Sequence, residues 1–332
     1  MSQSATADQR SRARRIDLVA WFARYGTIAS LLALLALFSA ARPDVFPTLN
    51  NVLTILNQSS ILGVISFGLT VCLVMGLFDL SIAAMATLGG YLATYALVTY
   101  PDTVGTPAAM IGSLVIAALI GVVNGLLVSY AGISAFIGTL AVGSIISGAM
   151  LGVSDSHTII SGIPDSFMVL GQADLFGIPL PVIVAAGVAL LLWLLLEHTQ
   201  MGRNLYAIGG NAEASRLAGL AVRRYAPVAL AICACCAGLG GLIAASNLGA
   251  GRPQGVGDSY LLNAFAASFI GASTLRPGKF HIIGTVIGVL LIGVINNGLS
   301  VMGVPTFWQY IVQGLLLIAA LFSAGLIGMR RR

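Results

Sequence analysis

The sequence predicts an all-α, polytopic membrane protein of about ten transmembrane helices, with cytoplasmic termini and an inverted internal repeat. Three observations carry this. Of the 332 residues, 58% are apolar and only 8% are charged, whereas soluble domains carry about a quarter charged residues. Such a chain cannot cover itself with polar surface in water. Its apolar residues also fall into runs close to the roughly 20 residues that cross a bilayer. Finally, its basic residues come to one face when those runs alternate in direction.

The first element is a basic tail, residues 1–21, with Arg10, Arg12, Arg14 and Arg15. Arg24 and the run Ile28 to Phe38 follow. "FSAA" (38–41) has the small residues of a signal-peptidase site, yet nine further apolar runs favour an uncleaved first span. The transmembrane domain then covers 22–329, with spans near 22–41, 58–78, 82–100, 107–130, 133–153, 179–197, 225–246, 261–275, 281–302 and 306–327. The eighth is too short for an ordinary crossing helix. It reads as a half-helix leaning on the glycine-rich segment Asn247 to Tyr260, and such broken backbone is tolerated only where protein or a watery cavity satisfies it.

Charge sets the orientation. With the amino terminus in the cytoplasm, fourteen of the sixteen Lys and Arg residues fall inside, and only Arg42 and Arg252 fall outside. Losing or adding one span scatters the clusters over both faces. A loop at about 198–224 and the basic tail 330–332 are then cytoplasmic, and the tail suits anionic headgroups. The bilayer is the expected partner of these charges; a nucleic acid is not.

The fourth and ninth spans echo each other. "GSLVIAALIGVVNGL" (112–126) and "GTVIGVLLIGVINNGL" (284–299) share Gly112/Gly284, Gly121/Gly293 and Asn124/Asn296 at one offset. Five spans apart, the copies run in opposite directions, a pattern of transporters that present one site alternately to each side.

Polar residues within spans are few. In "GLFDLSIAAMATLGG", Asp79 or Ser81 reads as the cap of the third span; for Asp79 an ion or solute ligand is the alternative. Asn57, Gln58, Thr139, Ser144, Asn263, Asn296, Asn297 and Gln313 suit a hydroxyl-rich solute in passing, or bonds between helices. Of these, Asn57, Thr139, Asn296 and Asn297, with Phe136 as a stacking ring, are the expected path residues. Cys72, Cys233, Cys235 and Cys236 lie in apolar runs; Cys233 and Cys236 are three apart, but without a second such pair or a nearby histidine the four read as small packing residues, and no metal site is expected.

Phosphate-loop, H-E-x-x-H and nucleophile-elbow patterns are all lacking, so an enzyme reading has no constellation behind it. No buried chain of acids or histidines supports an ion-coupled relay, which weighs against a self-sufficient secondary carrier.

"MGRNLYAIGGNAEASRLAGLAVRR" (201–224) is a basic, glycine-rich stretch between two apolar runs. Asn211 suits a helix cap with Glu213 and Ala214 in the first turn. Gly219 suits the carboxyl end, and "AIGGN" reads as a flexible turn ahead of it. Such a segment can dock into another protein's groove or lie as an interfacial loop on headgroups.

This stretch resembles the cytoplasmic signature of the ribose/simple-sugar permeases of ABC importers, through Gly202, Arg203, Tyr206, Ala207, Ile208, Gly209, Gly210, Asn211, Ala214 and Gly219. "FDLSIAAMATLGGYLA" (78–93), "AFIGTLAVGSIISGAM" (135–150), "GASTLRPGKFHIIGTVIGVLLIGVINNGLSVMGV" (271–304) and "WQYIVQGLLLI" (308–318) extend the likeness over nearly the whole chain from residue 60. Ser215, Phe78 and Arg276-Pro277 depart from the usual pattern. The resemblance implies a permease subunit in a bacterial inner membrane that works as a pair with a second copy. It is driven by ABC ATPase subunits that hold ATP-Mg, so this chain binds no cofactor of its own. A periplasmic binding protein would deliver the sugar. Gly202, Arg203, Tyr206, Gly209, Gly210, Asn211, Ala214 and Gly219 would form the ATPase-coupling segment. Branched-chain amino-acid import is the related alternative.

Overall fold

The computed structural model describes residues 24–329; the amino-terminal tail and Arg330 to Arg332 lie outside the described residues. Among the described residues, eight helices are long and apolar enough to cross a membrane: α1 (Arg24–Ala41), α2 (Leu49–Val74), α3 (Ile82–Thr99), α4 (Thr106–Ser129), α5 (Ala135–Ser154), α7 (Leu180–His198), α10 with its leading turn (Val222–Leu248) and α12 (Ile282–Val301). The two remaining expected spans coincide with α11 (Asp258–Ala272) and α13 (Thr306–Met329). Shorter helices are α6 (Asp165–Gln172), α8 (Gln200–Gly210) and α9 (Ala212–Leu217). The molecule is a multi-pass, all-α membrane protein.

Two helices form the middle of the bundle. On α2 and α10 buried positions run all round the helix rather than along one stripe, as a helix surrounded by protein requires. Close approach makes this possible. A Cβ at Gly241 of α10 would sit 1.7 Å from the Ala86 carbonyl oxygen of α3, and one at Gly125 of α4 would sit 2.1 Å from Pro227 Cα. Small residues at such contacts let helix backbones pack directly where no hydrophobic effect drives association. The outward sides of α4 and α5 instead expose Leu119, Ile137 and Ile145, as lipid-facing surface does. Cys72, Cys233 and Cys236 are buried, and the Cβ of Cys236 fills the space beside Gly68.

Three features depart from the sequence reading. Helix α2 begins at Leu49, nine residues before the expected span. Thr48 caps it by accepting the Asn51 N–H at 3.3 Å, and the intervening amides had hidden this turn from an apolar window. The segment after α5 contains α6, whose Phe167 is fully buried. A small antiparallel hairpin then precedes α7: β1 (Asp174–Leu175) pairs with β2 (Ile178–Pro179). Phe176 and Gly177 turn it with positive φ at both positions, the two-residue turn suited to strand twist.

The eighth expected span is broken. Helix α11 has 15 residues, roughly 22 Å at the helical rise and short of the roughly 30 Å hydrocarbon layer. The preceding segment, 249–257, runs along α3. A Cβ at Gly251 would strike Thr94 and one at Gly257 would strike the Ala83 carbonyl; these α3 contacts lie roughly 16 Å apart along the helix axis. Its backbone is satisfied by protein: the Gly257 N–H donates to Thr87 Oγ1 at 3.1 Å, and Ile159 and Gly251 exchange two bonds of 2.9 Å. Irregular backbone is stable inside a membrane protein only when satisfied in this way.

Candidate functional site

The break in α11 brings its first turn to a cavity of ≈ 370 Å³ between α2, α10, α11, α12 and α13. Six amide side chains line it: Gln58, Asn247, Asn263, Asn296, Gln309 and Gln313. Hydroxyls come from Ser59, Ser259, Tyr260, Thr306 and Tyr310, and among the described residues none that lines it is charged. Some of these groups are already paired. Gln313 Nε2 donates to Asn296 Oδ1 at 3.1 Å, and Asn263 Nδ2 donates to the Ser259 carbonyl at 2.9 Å. Among the described residues, two buried atoms of this wall, Ser59 Oγ and Asn263 Oδ1, have no hydrogen-bond partner. A buried polar atom left unmet costs about 1–3 kcal/mol, so the wall is built to accept hydrogen bonds from something that enters it. The chemistry suits a neutral solute rich in hydroxyl groups; an ion would lose its hydration here without a countercharge.

Of the five expected path residues, only Asn296 lines this cavity. Asn297 faces the other way and clasps Asn51 through two reciprocal amide bonds of 3.0 Å, joining α12 to α2. Thr139 accepts the Leu80 N–H at 2.9 Å and ties α5 to the loop before α3. Phe136 is half exposed on α5. Asn57 has a buried, unpartnered Oδ1 but does not line the cavity. An amide in an apolar run reports only that it is paired with something; which neighbour it meets is set by helix rotation, which the run does not encode. Ser59, Tyr260 and Gln309 gave no signal beyond being polar near a span end.

The second candidate site lies at the opposite end of α2. Val74 is sixteen residues from Gln58, roughly 24 Å along the helix, and there the α8–α9 segment packs. Gly202, Leu205 and Ile208 form the buried face of α8. Gly202 admits the sharp α7–α8 corner, since a Cβ would sit 2.1 Å from the Leu196 carbonyl. Asn211 caps α9 by accepting the Ala214 N–H at 2.9 Å, and Gly219 follows its end with φ +88°. "AIGG" is not a turn: it is the last stretch of α8, held helical because Gly209 presses on α2, where a Cβ would lie 1.9 Å from the Val74 carbonyl oxygen.

The signature residues divide between two directions. Arg203, Gly210, Asn211, Ala214 and Gly219 are exposed. The same segment carries Leu217, an apolar side chain 78% exposed, and the exposed Glu213–Arg216 ion pair of 2.6 Å. Gly202 and Tyr206 point inward. The Tyr206 hydroxyl donates to the Phe280 carbonyl at 2.9 Å, and burial first, then the Glu197 carboxylate, raises its pKa.

Asp79 is fully buried in the loop before α3. Its Oδ1 accepts from the Ser81 N–H at 2.9 Å and the Ser81 hydroxyl at 2.6 Å, which in turn accepts from Asn124 Nδ2 at 3.0 Å. The carboxyl thus braces the residue at the helix start, whereas Ser81 makes no capping bond of its own. Asp79 Oδ2 has no hydrogen-bond partner among the described residues, and one carboxylate oxygen of Asp79 lies with the sulfurs of Cys72 and Cys233 within 4.8 Å of one another, a grouping that could hold a metal ion. Cys72 already donates to the Ala229 carbonyl at 3.3 Å. Burial raises the Asp79 pKa above the ordinary carboxylate value, against smaller lowering by hydrogen bonds from Ser81 and Cys233.

Residues 51–321 match the family model described as "Branched-chain amino acid transport system / permease component". The D-allose transport system permease protein of Escherichia coli K12 is 35% identical over 310 residues, which cover 93% of this chain and 94% of that protein. The ribose import permease protein of Bacillus subtilis 168 is 34% identical over 316 residues, 95% of this chain and 97% of that protein. The xylose transport system permease protein of Haemophilus influenzae is 29% identical over 359 aligned positions, 90% and 95% of the two chains. No solved structure gives a significant match. With bundle, broken span and signature segment in one chain, and a family match over most of its length, the protein belongs to this permease family, among the ribose/simple-sugar permeases of ABC importers.

Proposed function

We propose that the chain is the membrane-spanning subunit of an ATP-driven importer in a bacterial inner membrane, and that its cargo is a sugar. The carrying observation is the uncharged, amide-lined cavity with Ser59 Oγ and Asn263 Oδ1 left free to accept hydrogen bonds. A pentose or hexose brings a hydroxyl donor on nearly every carbon. In the orientation read from the basic clusters, the cavity faces the outer side and α8–α9 the cytoplasm. A periplasmic binding protein would then release sugar into the cavity. An ABC ATPase, the holder of ATP-Mg, would dock on the exposed side of α8–α9, with Leu217 as its apolar anchor. A second copy of this chain would complete the path, and the two echoing segments, α4 and α12, would belong to inverted halves.

Branched-chain amino acids are the second reading, because the family model carries their name. A zwitterion would find no charged partner on the cavity wall, which favours the sugar. Gentle solubilisation of the tagged chain, followed by mass spectrometry, tests the class. An ABC ATPase in stoichiometric amount is expected with the native chain and much less with Leu217→Asp. A chain that purifies alone, under conditions that keep known ABC complexes whole, overturns the reading. Uptake of leucine but not of D-ribose, D-allose or D-xylose overturns the choice of cargo.

A further inference from the structure

Three side chains from separate elements meet where α8 touches the rest of the bundle. Glu197 ends α7, Tyr206 lies on α8, and Arg276 stands in the loop between α11 and α12. Arg276 Nη1 donates to both Glu197 carboxylate oxygens, at 2.6 and 2.7 Å. Tyr206 donates to the Phe280 carbonyl of the same loop and lies 3.4 Å from Glu197 Oε1. The coupling segment is therefore bonded to the α11–α12 loop both through its own tyrosine and through the helix it directly continues.

That loop joins two walls of the cavity. Helix α11 contributes Tyr260 and Asn263, and α12 contributes Gly293 and Asn296. Near the loop the two helices are pressed together: a Cβ at Gly271 would lie 2.4 Å from the Gly284 carbonyl carbon, and one at Gly288 would lie 2.1 Å from the Ala267 carbonyl oxygen. Backbones in such contact cannot slide independently, so the hairpin moves as one body. From Phe280 to Asn296 is sixteen residues, most of them on α12 and together roughly 24 Å, so a small tilt at the loop is carried to the cavity.

We infer that Glu197, Tyr206 and Arg276 are positioning residues: they form the joint through which movement of α8–α9 swings the α11–α12 hairpin and reshapes the cavity. This rests on the proposal that an ATPase docks on α8–α9. The Arg276 side chain is 54% exposed and that of Glu197 20%; an ion pair open to solvent on one side adds little stability, so breaking this one should leave the fold and the docking face intact while disconnecting them from the cavity. Tyr206, placed by resemblance in the ATPase-coupling segment, then acts inside the subunit.

The test uses the complete transporter in proteoliposomes, with the permease as wild type, Glu197→Arg, Arg276→Glu, the doubly reversed pair, or Tyr206→Phe. Recovery of the ATPase, ATP hydrolysis and uptake of radiolabelled D-ribose and D-allose are measured on each. Each single reversal is expected to keep the ATPase bound and hydrolysing while sugar moved per ATP falls about tenfold, within the usual range of coupling between sites. The double reversal is expected to recover most of that ratio, which a merely structural role for either residue does not predict. Single reversals that transport at the wild-type ratio, or a double reversal as defective as either single one, overturn the joint. A wild-type chain that binds no ATPase overturns the proposed function itself, and the joint with it.

Discussion

Gly293 of α12 and Ser59 of α2 share one space in the cavity wall: a Cβ on Gly293 would lie 2.0 Å from Ser59 Oγ. The glycine holds room for an unpartnered hydroxyl. Gly293→Ala should turn Ser59 aside without unfolding the bundle, because one hydroxyl can rotate where a backbone cannot. We expect the KM for sugar uptake to rise about tenfold, the equivalent of one lost hydrogen bond of about 1.4 kcal/mol. Ser59→Ala should do the same, and the double variant should be little worse than either, since both remove one interaction. Uptake kinetics on the three variants check this; additive losses would show that the two residues act separately.

Gly209 and Gly210 are adjacent in the signature, yet their surroundings differ. A Cβ at Gly209 would meet the Val74 carbonyl at 1.9 Å, whereas one at Gly210 meets nothing within 4 Å. The contact at Gly209 is with backbone and cannot be relieved by a side-chain rotation. Gly209→Ala should lift α8 off α2 and cost most of the bound ATPase, while Gly210→Ala should retain it. Co-purification of the two variants decides. Equal losses would place Gly210 in the docking face instead.

How far the sequence reached is visible in these residues. Among the described residues each expected span overlaps a helix, and for eight of them the run is long and apolar enough for a bilayer, which leaves the backbone no other way to satisfy its polar groups. The Asn211 cap and the positive φ of Gly219 were legible for a similar local reason: both are decided within a few residues. The cavity was not. Its wall is assembled from five helices, and whether Asn296 or Asn297 faces it depends on a rotation of about 100° between neighbours on a helix. Gln58, Asn263 and Gln313 were visible as polar, but Thr139 was equally so and faces a loop. The helical state of "AIGG" was hidden because it is imposed by contact with Val74, far away in the chain.

The Asn51–Asn297 clasp bears on which amides serve structure. Both side chains are buried, and each donates one amide hydrogen to the other's oxygen. Replacing only one with leucine leaves its partner unmet, at about 1–3 kcal/mol. Asn51→Leu and Asn297→Leu should each lower the melting temperature in detergent, whereas the surviving molecules should keep the wild-type KM. A raised KM with an unchanged melting temperature would return Asn297 to the solute path.

Asp79 carries a pH dependence whose sign follows from its burial. Its pKa is raised above the ordinary 3.8, with desolvation as the leading cause. Between the unfolded and the folded value, the folded chain holds a proton that the unfolded chain has released. Stability from this group is therefore complete below the unfolded value, about pH 4, and declines as pH rises toward the raised folded value. Asn has the shape of the neutral acid, keeps an oxygen for the Ser81 N–H and puts a donor where Oδ2 stands. Asp79→Asn should then lose little at low pH and gain on the wild type as pH rises, with a flatter curve of melting temperature against pH. Asp79→Ala should be destabilised throughout, because the buried Ser81 N–H and hydroxyl lose their acceptor. Parallel curves for the Asn variant and the wild type would show that Asp79 does not titrate in this way. A stoichiometric soft metal in the purified wild type, lost together with stability in the Asn variant, would assign the Cys72, Asp79 and Cys233 grouping to a cation instead of a neutral acid.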